Sequence, residues 1–287
     1  SCANPCKLMG KPLQTLVAIL ILCTSVQAND PLDIRVVGTN WGDVSIRDIQ
    51  AVLTSSANTL WKYAEPEALH PILVMRSKEG PIVLFKRGPR GEYFVKLNTG
   101  ERYWCQYAFQ IAHEVGHILC RYKDGDANNK WFEETLCETA SLFALRAMSE
   151  SWKTDPPYQN WKIYAPNLNK YAEERIQRYG LPEGKHLATF YAEQAPQLRA
   201  EATDRSKNAA IAIELLPLFE KNPEGWRAVH YINESVWNET QDFTTYLRNW
   251  YRHTPKDLKP FVAKVAEKFG IRAKVQNNKA SVTVSES

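Results

Sequence analysis

The sequence has little surplus of charge. In 287 residues, 36 Lys and Arg stand against 32 Asp and Glu, a formal +4, with none of the clustered basic excess that a phosphate-tracking surface needs, so nucleic acid is not an expected partner. It also lacks the Gly-X-Y period of collagen and the polar bias of a disordered chain, since 44% of residues are hydrophobic and 11% aromatic. An ordinary folded protein of one or two domains is expected. Cysteine is scarce outside the first 28 residues, where Cys2, Cys6 and Cys23 fall. The remaining three are Cys105, Cys120 and Cys137. Cys105 and Cys120 lie about 22 Å apart along one expected helix, too far for a disulfide. Cys120 and Cys137 fall out of register between neighbouring helices. All three are read as small buried hydrophobes.

No long apolar run opens the chain either. The stretch from Leu13 to Cys23 is about half of the roughly 20 residues that span a bilayer. With Lys7 and Lys11 before it and Ser25-Val26-Gln27-Ala28 after it, it has the three parts of a secretory signal peptide, cleaved after Ala28. The expected product is secreted or periplasmic, close to neutral, with no stable membrane span after cleavage.

The remainder divides by pattern. Residues 29–100 read as an α/β subdomain. It has strand-like runs at Ile34 to Val37, His70 to Met75, Pro81 to Lys86 and Tyr93 to Leu97, and a helix to about Tyr63 opened by Ser45 and Asp48 at capping-box spacing. Residues 101–150 read as a helix pair and 151–272 as a helical subdomain, with helical periods at Asn167 to Arg178, Ala209 to Glu220, Thr240 to Tyr251 and Leu258 to Phe269. Residues 273–287 read as a flexible tail. No repeat and no Pro-rich or Gly/Ser linker interrupts the order. The expected class is α+β, a small N-terminal twisted sheet with one helix, followed by a mainly helical region.

Chemistry concentrates in one apolar helical stretch, 103 to 121, which contains His113-Glu114-Val115-Gly116-His117. Random order produces HExxH about once per hundred such sequences. Residues four apart on a helix stand one above the other, so both imidazoles can reach one Zn²⁺ while Glu114, about 100° round, approaches the water to be activated. A catalytic zinc site needs a third protein ligand. Trp131-Phe132-Glu133-Glu134-Thr135-Leu136-Cys137-Glu138 follows after a connection short enough for antiparallel packing. Glu134 then falls opposite His117 and Glu138 opposite His113. Glu134 is the expected third ligand, and Glu138 the expected acceptor for the free ring N–H of His113.

These residues resemble the gluzincin group of zinc metallopeptidases, the thermolysin-like and aminopeptidase-like enzymes, in which HExxH is followed by a helix bearing a liganding Glu. Trp131-Phe132-Glu133-Glu134 is similar to the Trp-Leu-Asn-Glu of the aminopeptidase branch, and the likeness covers about 113 to 141. The resemblance implies an exported peptidase acting on peptide or protein substrates, with Zn²⁺ held by His113, His117 and Glu134, and Glu114 as general base. The rival reading is a non-catalytic binding or scaffold protein with a relict or structural zinc site. Asp124 to Asn128 mimics the start of a calcium loop, but Asn129 and Thr135 replace its Gly and bidentate Glu, and a solvated turn is expected. The basic cluster Lys86 to Arg90 reads as a solvated hairpin tip.

Overall fold

A computed structural model describes residues 32–123, 128–234 and 241–273. The signal-peptide reading of residues 1–28, most of the calcium-loop mimic and nearly all of the expected tail lie outside the described residues.

The architecture is α+β. A four-stranded mixed sheet comes first, β1 (Ile34–Val37), β2 (Ile72–Arg76), β3 (Ile82–Val83) and β4 (Tyr93–Leu97), with α1 (Ile46–Trp61) between the first two strands. Its order is β1-β2-β4-β3, the first three parallel and β3 antiparallel to β4 at the edge. Parallel neighbours need a crossover. Between β1 and β2 it is α1, which buries Ile49, Val52, Leu53, Ala57 and Leu60. Ser45 does sit at the N-cap of α1, but its side chain makes no capping bond. Its backbone carbonyl takes the amides of Asp48 and Ile49 instead, both at 3.1 Å. The edge strand is shorter than expected. Pro81 has no N–H for the ladder, and pairing ends soon after Val83, with Leu84 N–H still bonded to the Phe94 carbonyl at 2.9 Å.

Helices then take over: α2 (Trp104–Leu119), α3 (Lys130–Ser151), α4 (Ala165–Tyr179), α5 (Leu187–Ala200), α6 (Arg205–Lys221), α7 (Gly225–Ala228), α8 (Phe243–His253) and α9 (Lys259–Lys268). α5 shows no helical period in the sequence, since Pro196 sits inside the helix and only Leu187, Ala195 and Leu198 are buried, too sparse a stripe to register. One continuous core runs from Ile34 in the sheet to Ala273 after the last helix.

α3 is the hub. It is buried almost all round from Trp131 to Leu145, as a helix packed on several sides must be, with α2, α4 and α6 as its main neighbours. α2 and α3 run antiparallel, pinned at one end by Ser141 Oγ donating to the Phe109 carbonyl at 2.8 Å. They approach closely at Gly116, where an added Cβ would stand 3.0 Å from Cys137 Cα and 3.1 Å from its Sγ.

Candidate metal centre

The close crossing brings the chemistry-bearing faces of α2 and α3 together. His113 and His117 project from successive turns of α2, ring centroids 5.1 Å apart. The Glu134 carboxylate reaches between them: one oxygen lies 3.2 Å from His113 Nε2 and the other 3.6 Å from His117 Nε2. Cys137 is also near, and ligand atoms of His113, His117 and Cys137 all lie within 4.8 Å of one another. This group could hold a metal ion. Two ligands at about 2.1 Å on tetrahedral directions are about 3.4 Å apart, so each Glu134 oxygen stands at about ligand-to-ligand spacing from one imidazole, although the two contacts are made by different oxygens. The two third donors differ in readiness. The Cys137 thiol is buried, and burial followed by a hydrogen bond with Cys120 pushes it well above its ordinary range. The Glu134 carboxyl, despite burial, is held down at about 2 by its hydrogen bond to His113 and the nearby His117.

Around this pair of helices the structure corrects one expectation. The Glu138 carboxylate accepts from Arg175 Nη2 of α4 at 2.7 Å, so the expected support of His113 by Glu138 is replaced by an ion pair. Four residues of helix amount to about 400°, so Glu138 is turned about 40° from Glu134, toward α4 and the Arg175 guanidinium. The carboxylate that does grip an imidazole is Glu133, on the other side of Glu134, with one oxygen 2.7 Å from His117 Nδ1. Burial alone would lower the His117 pKa, but the bond to Glu133, with Glu133, Glu134 and Glu114 close by, raises it to about 10.

Glu133 is itself held. Its second oxygen accepts from Asn233 Nδ2 at 2.7 Å, and the same amide reaches the Cys120 carbonyl at the end of α2 at 2.9 Å. Tyr246 Oη of α8 donates to Asn233 Oδ1 at 3.3 Å. A buried chain therefore runs Tyr246, Asn233, Glu133, His117. Two adjacent acids beside the apolar Trp131-Phe132 could have flagged Glu133; Asn233, a hundred positions further along, carries no local signal. Replacing Asn233 with Leu should leave a buried carboxylate oxygen without its donor, free the His117 ring, and weaken divalent-metal affinity by about 10- to 100-fold. Competition against a chromophoric chelator measures it. Unchanged affinity in a folded Asn233→Leu protein would remove the clamp from the site.

Glu114 lies on the same helix, 1% exposed. Burial raises its pKa, and the two imidazoles and the Val83 backbone amide only partly reverse this. A buried carboxyl with a raised pKa next to a group that can bind a metal is suited to taking and returning protons. β3, Glu114, both imidazoles and Glu134 line one cleft of about 470 Å³, walled further by Tyr171 and Arg175 of α4 and by Arg205.

Comparison of the chain with models of known protein families, with curated proteins and with solved structures found no match.

Proposed function

We propose that this chain is an exported zinc-dependent peptidase. The observation that carries the reading is the seat of Glu134 between the Nε2 atoms of His113 and His117 at 3.2 and 3.6 Å, in a cleft that also holds a buried Glu114. Two imidazoles and a carboxylate are the donor set of an open catalytic zinc site, whereas structural sites tend to be closed by thiolates and imidazoles. Zinc bound there would supply the Lewis acidity that makes water a nucleophile near neutral pH. Glu114 would accept the proton of that water and deliver it to the leaving amine. Glu133 would hold the His117 ring in its liganding orientation. A peptide would add as a strand along the outer edge of β3, which lines the same cleft.

The second reading, a non-catalytic protein with a structural ion, is favoured by one observation, the nearness of Cys137 to both histidines. Metal analysis separates the two. The full chain should take up close to one zinc, with release of about one proton near neutral pH, because His117, raised to about 10, is protonated there and must become neutral to bind. His113→Ala, His117→Ala and Glu134→Ala should abolish tight uptake, while Cys137→Ser should retain it. Loss of zinc in Cys137→Ser with retention in Glu134→Ala, together with no cleavage of a mixed peptide pool, would establish the structural site instead.

A further inference from the structure

We infer that the cleft selects a substrate bearing a carboxylate one or two residues from the scissile bond, received by Arg175 and Arg205; this rests on the peptidase reading above. The lining acids are already engaged. Glu134 meets both imidazoles, Glu133 meets His117 and Asn233, Glu138 meets Arg175, and Glu114 is buried beside the histidines. Among the basic side chains Arg175 is paired with Glu138, but Arg205 is not used up in this way. Arg205, the first residue of α6, is exposed at the cleft and forms no ion pair among the described residues. Its neighbour Asp204 is occupied, accepting from the Lys207 amide at 3.2 Å and from Ser206 Oγ at 2.7 Å. Lys130 adds a third positive charge to the lining.

Arg175 is held ready for a planar anion. Its guanidinium carbon stands 4.1 Å from the centre of the Phe109 ring and 5.4 Å from that of Tyr179, its Nη2 donates to Glu138, and its Nε is buried with no hydrogen-bond partner. With Nη2 taken by Glu138 and Nε buried, a substrate carboxylate would meet the remaining Nη1 side of a guanidinium that the rings already hold in place, at little cost in freedom. Position follows from the helix. Glu138, which anchors Arg175, lies one turn or about 6 Å beyond Glu134, and an extended peptide advances about 3.3–3.6 Å per residue. The spacing of Glu138 from Glu134 is therefore of the order of one or two extended residues, and Arg175 lines the same cleft as the candidate centre. With a divalent ion bound, the cleft as a whole turns positive, which also attracts such a substrate.

The test uses zinc-loaded full chain and dipeptide hydroxamates that differ only in carrying Glu or Gln, at the first or the second residue from the chelating group, with affinity read by calorimetry. The Glu probe should bind at least about tenfold more tightly at one of the two positions. Arg205→Gln should shrink that ratio, and Arg175→Gln should bring it close to one. Because Arg175→Gln alone strands a buried carboxylate, the paired variant Arg175→Gln with Glu138→Gln is measured too, and should show the same loss. Equal affinities at both positions, or no binding of either probe, overturn the proposal. Hydrolysis is scored separately. Selective binding of the Glu probe with no cleavage of any peptide leaves the carboxylate site standing and rejects the peptidase; cleavage of neutral peptides with a Glu/Gln ratio of one does the reverse.

Discussion

Glu114→Gln should keep the metal and lose the reaction: zinc content unchanged, hydrolysis down by about 10²- to 10⁴-fold. The substitution preserves shape at a site that is 1% exposed, so packing between α2 and its neighbours is retained. It removes only the capacity to accept a proton. Burial already disfavours the ionised carboxylate at this position, so the folded protein should be no less stable for the change and may be assayed at the parental temperature. Metal analysis and peptide hydrolysis on one preparation decide it. Cleavage at the parental rate would remove Glu114 from the mechanism, and loss of zinc would mean that it is a ligand.

The second large effect is one of stability, and its sign is opposite to the usual one. Replacing a mid-helix Gly by Ala normally gains about 1 kcal/mol from backbone entropy. At Gly116 the new Cβ would lie 3.0 Å from Cys137 Cα, a backbone atom that cannot step aside without moving α3. Overpacking of this kind costs about 1–3 kcal/mol, so Gly116→Ala should be less stable than the parent and Gly116→Val, with two more methyl groups at the same place, less stable still. Urea denaturation measures both. Separation of the helices should also spread the donors, so metal affinity should fall in parallel. A Gly116→Ala protein more stable than the parent would show that the two helices are not in contact there.

Local pattern made some parts of this molecule readable and left others hidden. The strands at Ile34–Val37 and Tyr93–Leu97 and the helix around His113 follow from residue spacing, because each buries a regular face, whereas α3 is buried almost all round and shows no such stripe. The approach of Glu134 to both histidines could be anticipated because α2 and α3 are joined by a short connection and must pack side by side. Glu138 could not be placed by the same reasoning. Treating two helices as a flat ladder ignores the rotation of about 40° per four residues, and the deciding partner, Arg175, belongs to a third helix. The same limit hid Asn233. A side chain that bonds across a hundred residues is selected by tertiary packing, and no window of sequence contains both ends of the bond. Helix α5 escaped for a different reason: with few buried residues and an internal Pro, it has little amphipathic signal to read.

The chain of bonds from Tyr246 through Asn233 to Glu133 and His117 also orders events in time. His113, His117, Glu133 and Glu134 all leave the ribosome more than a hundred residues ahead of Tyr246. At the usual pace of synthesis that is an interval of roughly 5–20 s. During it, the growing chain holds two imidazoles and two carboxylates without the amide and phenol that later fix their orientation. On the reading that this cluster holds an ion, one captured in that window would be held loosely, and the orientation of the donors would be fixed only as α8 docks.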